Sequence, residues 1–80
     1  MEFKLRKLNA SEAKKLSHIL KDYSCEALLK TKKYCIDGKS ILGILSIMEA
    51  EPNDITLVIN ELSEEFFPEL VSKLSPFFTC

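Results

Sequence analysis

Histidine occurs once in this chain of 80 residues and glycine twice. No apolar run is long enough to cross a membrane. Each scarcity removes a class of function. With Gly38 and Gly43 as the only glycines, there is no glycine-rich loop to cradle a phosphate. His18 is the only histidine, so no Ser/His/Asp or Cys/His arrangement for nucleophilic catalysis is apparent. The three cysteines, Cys25, Cys35 and Cys80, lack C-x-x-C spacing and have that one histidine for company, which argues against zinc. The paired acids Glu64-Glu65 read as helix capping. The expectation is therefore no enzyme, no metal and no cofactor. Met1-Glu2-Phe3-Lys4-Leu5-Arg6 lacks the apolar stretch of a signal peptide. No internal repeat appears. A cytoplasmic protein that avoids membranes is expected.

The hydrophobic fraction, 46 %, suits one modest core and a single domain over residues 1–80. Cys25 and Cys35 read as small hydrophobes in strands, and Cys80 as an exposed end. Residues 1–39 hold ten Lys/Arg against five Asp/Glu, whereas residues 40–80 hold one, Lys73, against seven. Such asymmetry can mark a docking face. The plainer reading, preferred here, is that the halves interleave and partly neutralise each other. Lys30, Lys32 and Lys33 raise nucleic-acid binding, but the isoelectric point is acidic, near 5.8, and only Tyr34 supplies an aromatic nearby. No nucleic acid is expected.

Along the chain, Phe3 to Leu8 begins by alternating and reads as a strand with Phe3 and Leu5 buried. Asn9 with Glu12 is a variant capping box that opens a helix. Its buried stripe is Ala13, Leu16, Ile19, Leu20 and Tyr23. Cys25–Lys30 and Lys33–Ile36 read as strands joined through Thr31-Lys32, ending at the turn Asp37-Gly38. Ser40 is an N-cap, followed by a helical stripe of Ile41, Leu42, Leu45 and Met48, with Gly43 as a weak point. Glu49 to Asp54, containing Pro52, breaks this helix. Ile55–Ile59 is the clearest strand, and Asn60-Glu61-Leu62 a turn. Ser63 caps a last helix burying Phe66, Phe67, Leu70, Val71 and Leu74, unless Pro68 marks its start. Pro76 stops it. Phe77-Phe78-Thr79-Cys80 is an apolar tail that must pack back or remain sticky. The order β-α-β-β-α-β-α predicts an α+β fold, an open-faced sandwich with a four-stranded antiparallel sheet and three helices on one face.

That order, with Lys39-Ser40-Ile41-Leu42-Gly43-Ile44-Leu45-Ser46 after Asp37-Gly38, resembles the HPr family, the histidine-containing phosphocarrier proteins of the sugar phosphotransferase system. The family carries K-S-[ILV]-[MFL]-x-[LIV]-[LMQ]-[ST] at that place. Asp54 to Ile59 is similar to its G-D-x-[IV]-x-[IL]-x segment, and the resemblance covers nearly the whole chain. The departures are at the phosphate-carrying motif, H-A-R-P-A in the family. Asn9-Ala10-Ser11-Glu12-Ala13 stands there, with Asn9 for the histidine, Ser11 for the arginine and Glu12 for the proline. Glu12 places a negative charge where a phosphate would sit. His18, mid-helix, lacks the amides of a helix end and reads as a partly exposed helix residue.

Ser40 has two readings. By resemblance it is the serine that an HPr kinase/phosphorylase modifies, with Lys39 the nearest cation. As chemistry alone it is a helix cap, and the acidic stretch Glu49-Ala50-Glu51-Pro52-Asn53 argues for that reading. The resemblance also implies a partner surface of second-helix side chains, Ile41, Leu42 and Leu45, and with the basic Lys14, Lys15 and Lys39 that surface is the expected binding site. The expected function is a histidine-less regulatory or protein-interaction module, monomeric, switched at Ser40 if that serine is phosphorylated. Its expected partners are phosphotransferase-system components, the kinase/phosphorylase or a transcription regulator. The alternative is a phosphocarrier using a non-standard site.

Overall fold

Asn9 and Glu12 form the capping box that their spacing predicts. The Asn9 side chain accepts from the Glu12 amide at 2.8 Å, and the Glu12 carboxylate accepts from the Asn9 amide at 3.1 Å. In a computed structural model that describes residues 1–79, this box starts helix α1, Ala10–Lys21. Cys80 lies outside the described residues. α1 buries Ala13, Leu16, Leu20 and, just beyond its end, Tyr23, while Ile19 is half-buried. It also buries Ser17, whose hydroxyl donates to the Lys39 carbonyl at 2.7 Å.

The four strands are β1 (Glu2–Lys4), β2 (Glu26–Lys30), β3 (Cys35–Asp37) and β4 (Thr56–Asn60), in the sheet order β1-β4-β2-β3. All pairings are antiparallel. β4 pairs with β1 through Phe3↔Leu57 and with β2 through Leu29↔Leu57. Alternation sends Ala27, Leu29, Leu57 and Ile59 into the core and Glu26, Leu28, Lys30 and Thr56 to the other face. Helix α2 spans Ile41–Ala50 and α3 spans Phe67–Leu74. With α1 they cover one face of the sheet, as the sequence predicts.

Several expectations need correction. The β2–β3 connection is longer than Thr31-Lys32. Strand pairing closes at Lys30↔Cys35, and Thr31 donates to the Tyr34 carbonyl at 2.9 Å. Cys25 is half-buried just ahead of β2, and Cys35 is exposed on the short outer strand β3. Neither is a buried strand hydrophobe. In α2 the buried residues are Ile44 and Ile47. Ile41, Leu45 and Met48 are half-buried, and Leu42 stands 78 % exposed. Gly43 is a point of close approach: a Cβ there would come within 3.1 Å of the Ile36 side chain, so α2 rests directly on β3. Ser63 makes no side-chain cap. It precedes a short 3-10 turn, Glu64–Phe66, and α3 begins at Phe67 with Pro68 in its first turn, where a missing N–H is harmless. Leu70 and Leu74 are buried, Phe67 and Val71 half-buried, and Phe66 is exposed.

The tail packs back. Ser75–Phe77 forms a second 3-10 turn and Phe77 is buried. Phe78 bridges to Leu5 and stacks on Phe3 with ring centroids 4.5 Å apart. Arg6 donates its amide to the Phe77 carbonyl at 2.9 Å, and Thr79 to the Lys4 carbonyl at 3.0 Å. The tail thus lies along the edge of the sheet next to β1, joined to it by a single bridge. The two halves of the chain do interleave, but their charges scarcely pair. Among the described residues the ion pairs are Lys4–Asp54 and Arg6–Glu12, and only the first joins the halves.

Candidate functional site

The first candidate is the N-terminus of α1, where Asn9, Ser11 and Glu12 stand. A helix start offers free amides and the positive end of the helix dipole to an anion. Here the protein supplies its own. Asn9 accepts from one amide, and Glu12 carries the negative charge. The Glu12 carboxylate also takes a hydrogen bond and ion pair from the Arg6 guanidinium. That bond, then the Asn9 amide, holds the Glu12 carboxyl below its ordinary range, and the same pair raises Arg6 further above its own. Arg6 is fixed from behind, because its Nε donates to the Pro76 carbonyl at 2.7 Å and a terminal nitrogen to the Lys7 carbonyl at 3.2 Å. Ser11 is exposed and makes no part of this closure. Sequence reasoning missed Arg6, whose placement depends on a tail seventy residues away.

The second candidate is the start of α2. Ser40 is the N-cap, its hydroxyl accepting from the Gly43 amide at 3.1 Å. Its backbone is extended and its own amide donates to the Asp37 carbonyl at 3.2 Å. Lys39 is not free to face Ser40. Its ammonium donates to the Tyr23 carbonyl at 2.8 Å, at the C-terminal end of α1, where a cation is favoured. The Lys39 amide is held by the Asp37 carboxylate at 2.9 Å. The acidic stretch Glu49–Asn53 lies at the opposite end of a ten-residue helix, about 15 Å away at 1.5 Å per residue. It does not surround Ser40, and that argument for a plain cap falls. Leu42, two residues beyond Ser40, projects into solvent between half-buried Ile41 and half-buried Gly43.

Lys14 and Lys15 belong to a third feature, separate from α2. They line a groove of about 660 Å³ between α1 and the tail, with Ser11, His18 and Ile19 on the same helix. Pro76 and Phe77 contribute on the tail side, with Lys73 of α3 and the Arg6–Glu12 pair. His18 is exposed on this groove. The structure therefore gathers the expected site residues into two places: Lys39, Ser40, Ile41, Leu42 and Leu45 at the start of α2, and Asn9, Ser11, Glu12, Lys14, Lys15 and His18 at the start of α1 and along it. Among the described residues, no group of three or more His, Cys, Asp or Glu is placed to hold a metal ion. No helix among them is long and apolar enough to cross a membrane. No family model matches this chain, and no curated protein does.

Proposed function

We propose that this protein is an HPr-like regulatory or interaction module that has lost histidine phosphocarrier activity and meets its partners through α2, with Ser40 as a phosphorylation switch. The observation that carries this reading is Leu42, 78 % exposed one turn or less from a helix-capping serine. A large aliphatic side chain held in water at a helix start is suited to a partner's pocket. A phosphate on Ser40 would add roughly two negative charges beside it. The amides at the start of α2 would stabilise that charge by about 0.3–1 kcal/mol. The partner would then distinguish the two states by the cost of desolvating the phosphate. Loss of carrier activity rests on the first candidate site. Asn9 has no nitrogen nucleophile like imidazole, and Glu12 with Arg6 already fills the anion's place.

Intact-mass measurement after incubation with ATP and an HPr kinase/phosphorylase tests the switch. A single phosphate shift, lost in Ser40→Ala, is the expected result, and an unshifted mass sinks it. Ser40→Ala costs about 1 kcal/mol as a lost cap, so the control remains folded. One observation favours the alternative carrier, namely that His18 lines a groove with Lys14, Lys15 and Lys73. Label transferred from phosphoenolpyruvate through the first enzyme of the phosphotransferase system would establish that reading and overturn the first.

A further inference from the structure

The groove along α1 combines apolar and cationic side chains. Ile19, Pro76 and Phe77 give it apolar lining, and Lys14 and Lys15 bring exposed charge to it, while the Lys73 ammonium lies over the Tyr23 ring, 5.3 Å from its centroid. Its one carboxylate, Glu12, is already neutralised by Arg6. Lys14 and Lys15 make no ion pair among the described residues. Charge complementarity calls for an occupant that is both apolar and acidic.

The chain itself carries such an element. Phe66 is 43 % exposed and rests edge-on against Tyr23, ring centroids 6.0 Å apart. Glu64 and Glu65, both exposed, precede it in the same 3-10 turn, and exposed Glu69 follows on α3. Lys73 lines the groove, and it also lines a hollow shared with Phe66 and Glu69. The basic groove and the acidic aromatic turn therefore adjoin, with Lys73 shared between them. A surface with opposite charges at its two ends is self-complementary under a two-fold rotation. The same rotation sets acid against base at both ends, whereas groove against groove would repel.

We infer that this face is a homodimer interface, in which Phe66 of each copy enters the groove of the other while Glu64 and Glu65 meet Lys14 and Lys15. The α2 surface is left free in this arrangement. The dimer is independent of whether Ser40 is phosphorylated, and it dissociates more readily as salt rises.

Sedimentation velocity under reducing conditions, from micromolar to millimolar chain, tests this against the 9.1 kDa monomer. The expected result is a reversible monomer–dimer equilibrium. Lys14→Glu with Lys15→Glu should weaken it by about tenfold or more, as should Glu64→Lys with Glu65→Lys. An equimolar mixture of the two double variants should recover the dimer, since both of its contacts then pair opposite charges again. Phe66→Ala, which changes no charge, should weaken it as well, and far-UV circular dichroism checks that each variant is folded. A wild type monomeric throughout overturns the proposal. So does a double variant that dimerises unchanged, or a mixture that fails to recover. A monomer whose Ile19 and Phe77 amide resonances shift on adding an acidic aromatic peptide would give the groove to another protein, and would equally overturn it.

Discussion

Glu12 sets a measurable pH dependence. Its carboxyl titrates below the ordinary range because Arg6 and the Asn9 amide favour the charged form. A carboxyl whose pKa is lower folded than unfolded stabilises fully above the ordinary glutamate value. That contribution is lost as pH falls through the lower, folded value. Urea denaturation at stepped pH from about 5 to about 2 should show stability falling more steeply in the wild type than in Glu12→Gln. The glutamine amide still accepts from the Asn9 amide, so the cap survives and only the charge is removed. Some slope should remain, because Lys4, at 2.8 Å, lowers Asp54 in the same way. Identical slopes in wild type and Glu12→Gln would show that the Arg6 pair adds nothing to folding. The Asn9–Glu12 box was legible because all its atoms lie within four residues. The role of Arg6 was not, since it follows from the docking of Pro76 and Phe77.

Among the elements, α1 and the start of α2 are joined by a polar contact from a buried side chain. Ser17 is fully buried in the α1 stripe and donates to the Lys39 carbonyl just before α2. Ser17→Ala leaves that carbonyl without this donor and should cost about 1–3 kcal/mol, read as a shift in the urea midpoint. A shift near zero would show that water replaces the hydroxyl. Helix α1 could be read from its sequence because its polar and apolar faces differ. In α2 they do not. Ile41, Leu42, Ile44, Leu45, Ile47 and Met48 are apolar nearly all round, and periodicity alone could not choose Ile44 and Ile47 as the buried pair. What decides is Gly43 against Ile36 of β3, a tertiary contact. At α3, Ser63 and Pro68 offered competing starts, and the proline prevails because Glu64–Phe66 winds as a 3-10 turn first.

For the whole molecule, stability depends on the tail. Phe77 is buried in the same core cluster as Leu5, Leu70 and Leu74, and Phe3 and Phe78 stack alongside. Phe77→Ala should cost about 3–5 kcal/mol. Against a total of about 5–15 kcal/mol for a native domain, that brings a protein of this size close to unfolding at room temperature, measurable as loss of near-ultraviolet signal and of the cooperative melt. A variant with an unchanged melt would place the core elsewhere. The four-stranded architecture was readable from the order of elements. The bridge from the tail to Leu5 was not, because nothing local marks a segment that pairs across most of the chain.

The central position of β4 governs the order in which the protein can be built. Both β1 and β2 pair with β4 and not with each other. On a ribosome, α1, the β2–β3 hairpin and the apolar α2 all emerge before the strand that joins them. Until Thr56–Asn60 is out, Ala27 and Leu29 have no sheet to complete and Ile44 and Ile47 have only half a core. Even then Leu70, Leu74 and Phe77 are still to come, so collapse to the native state awaits both the central strand and the tail that closes the core behind it.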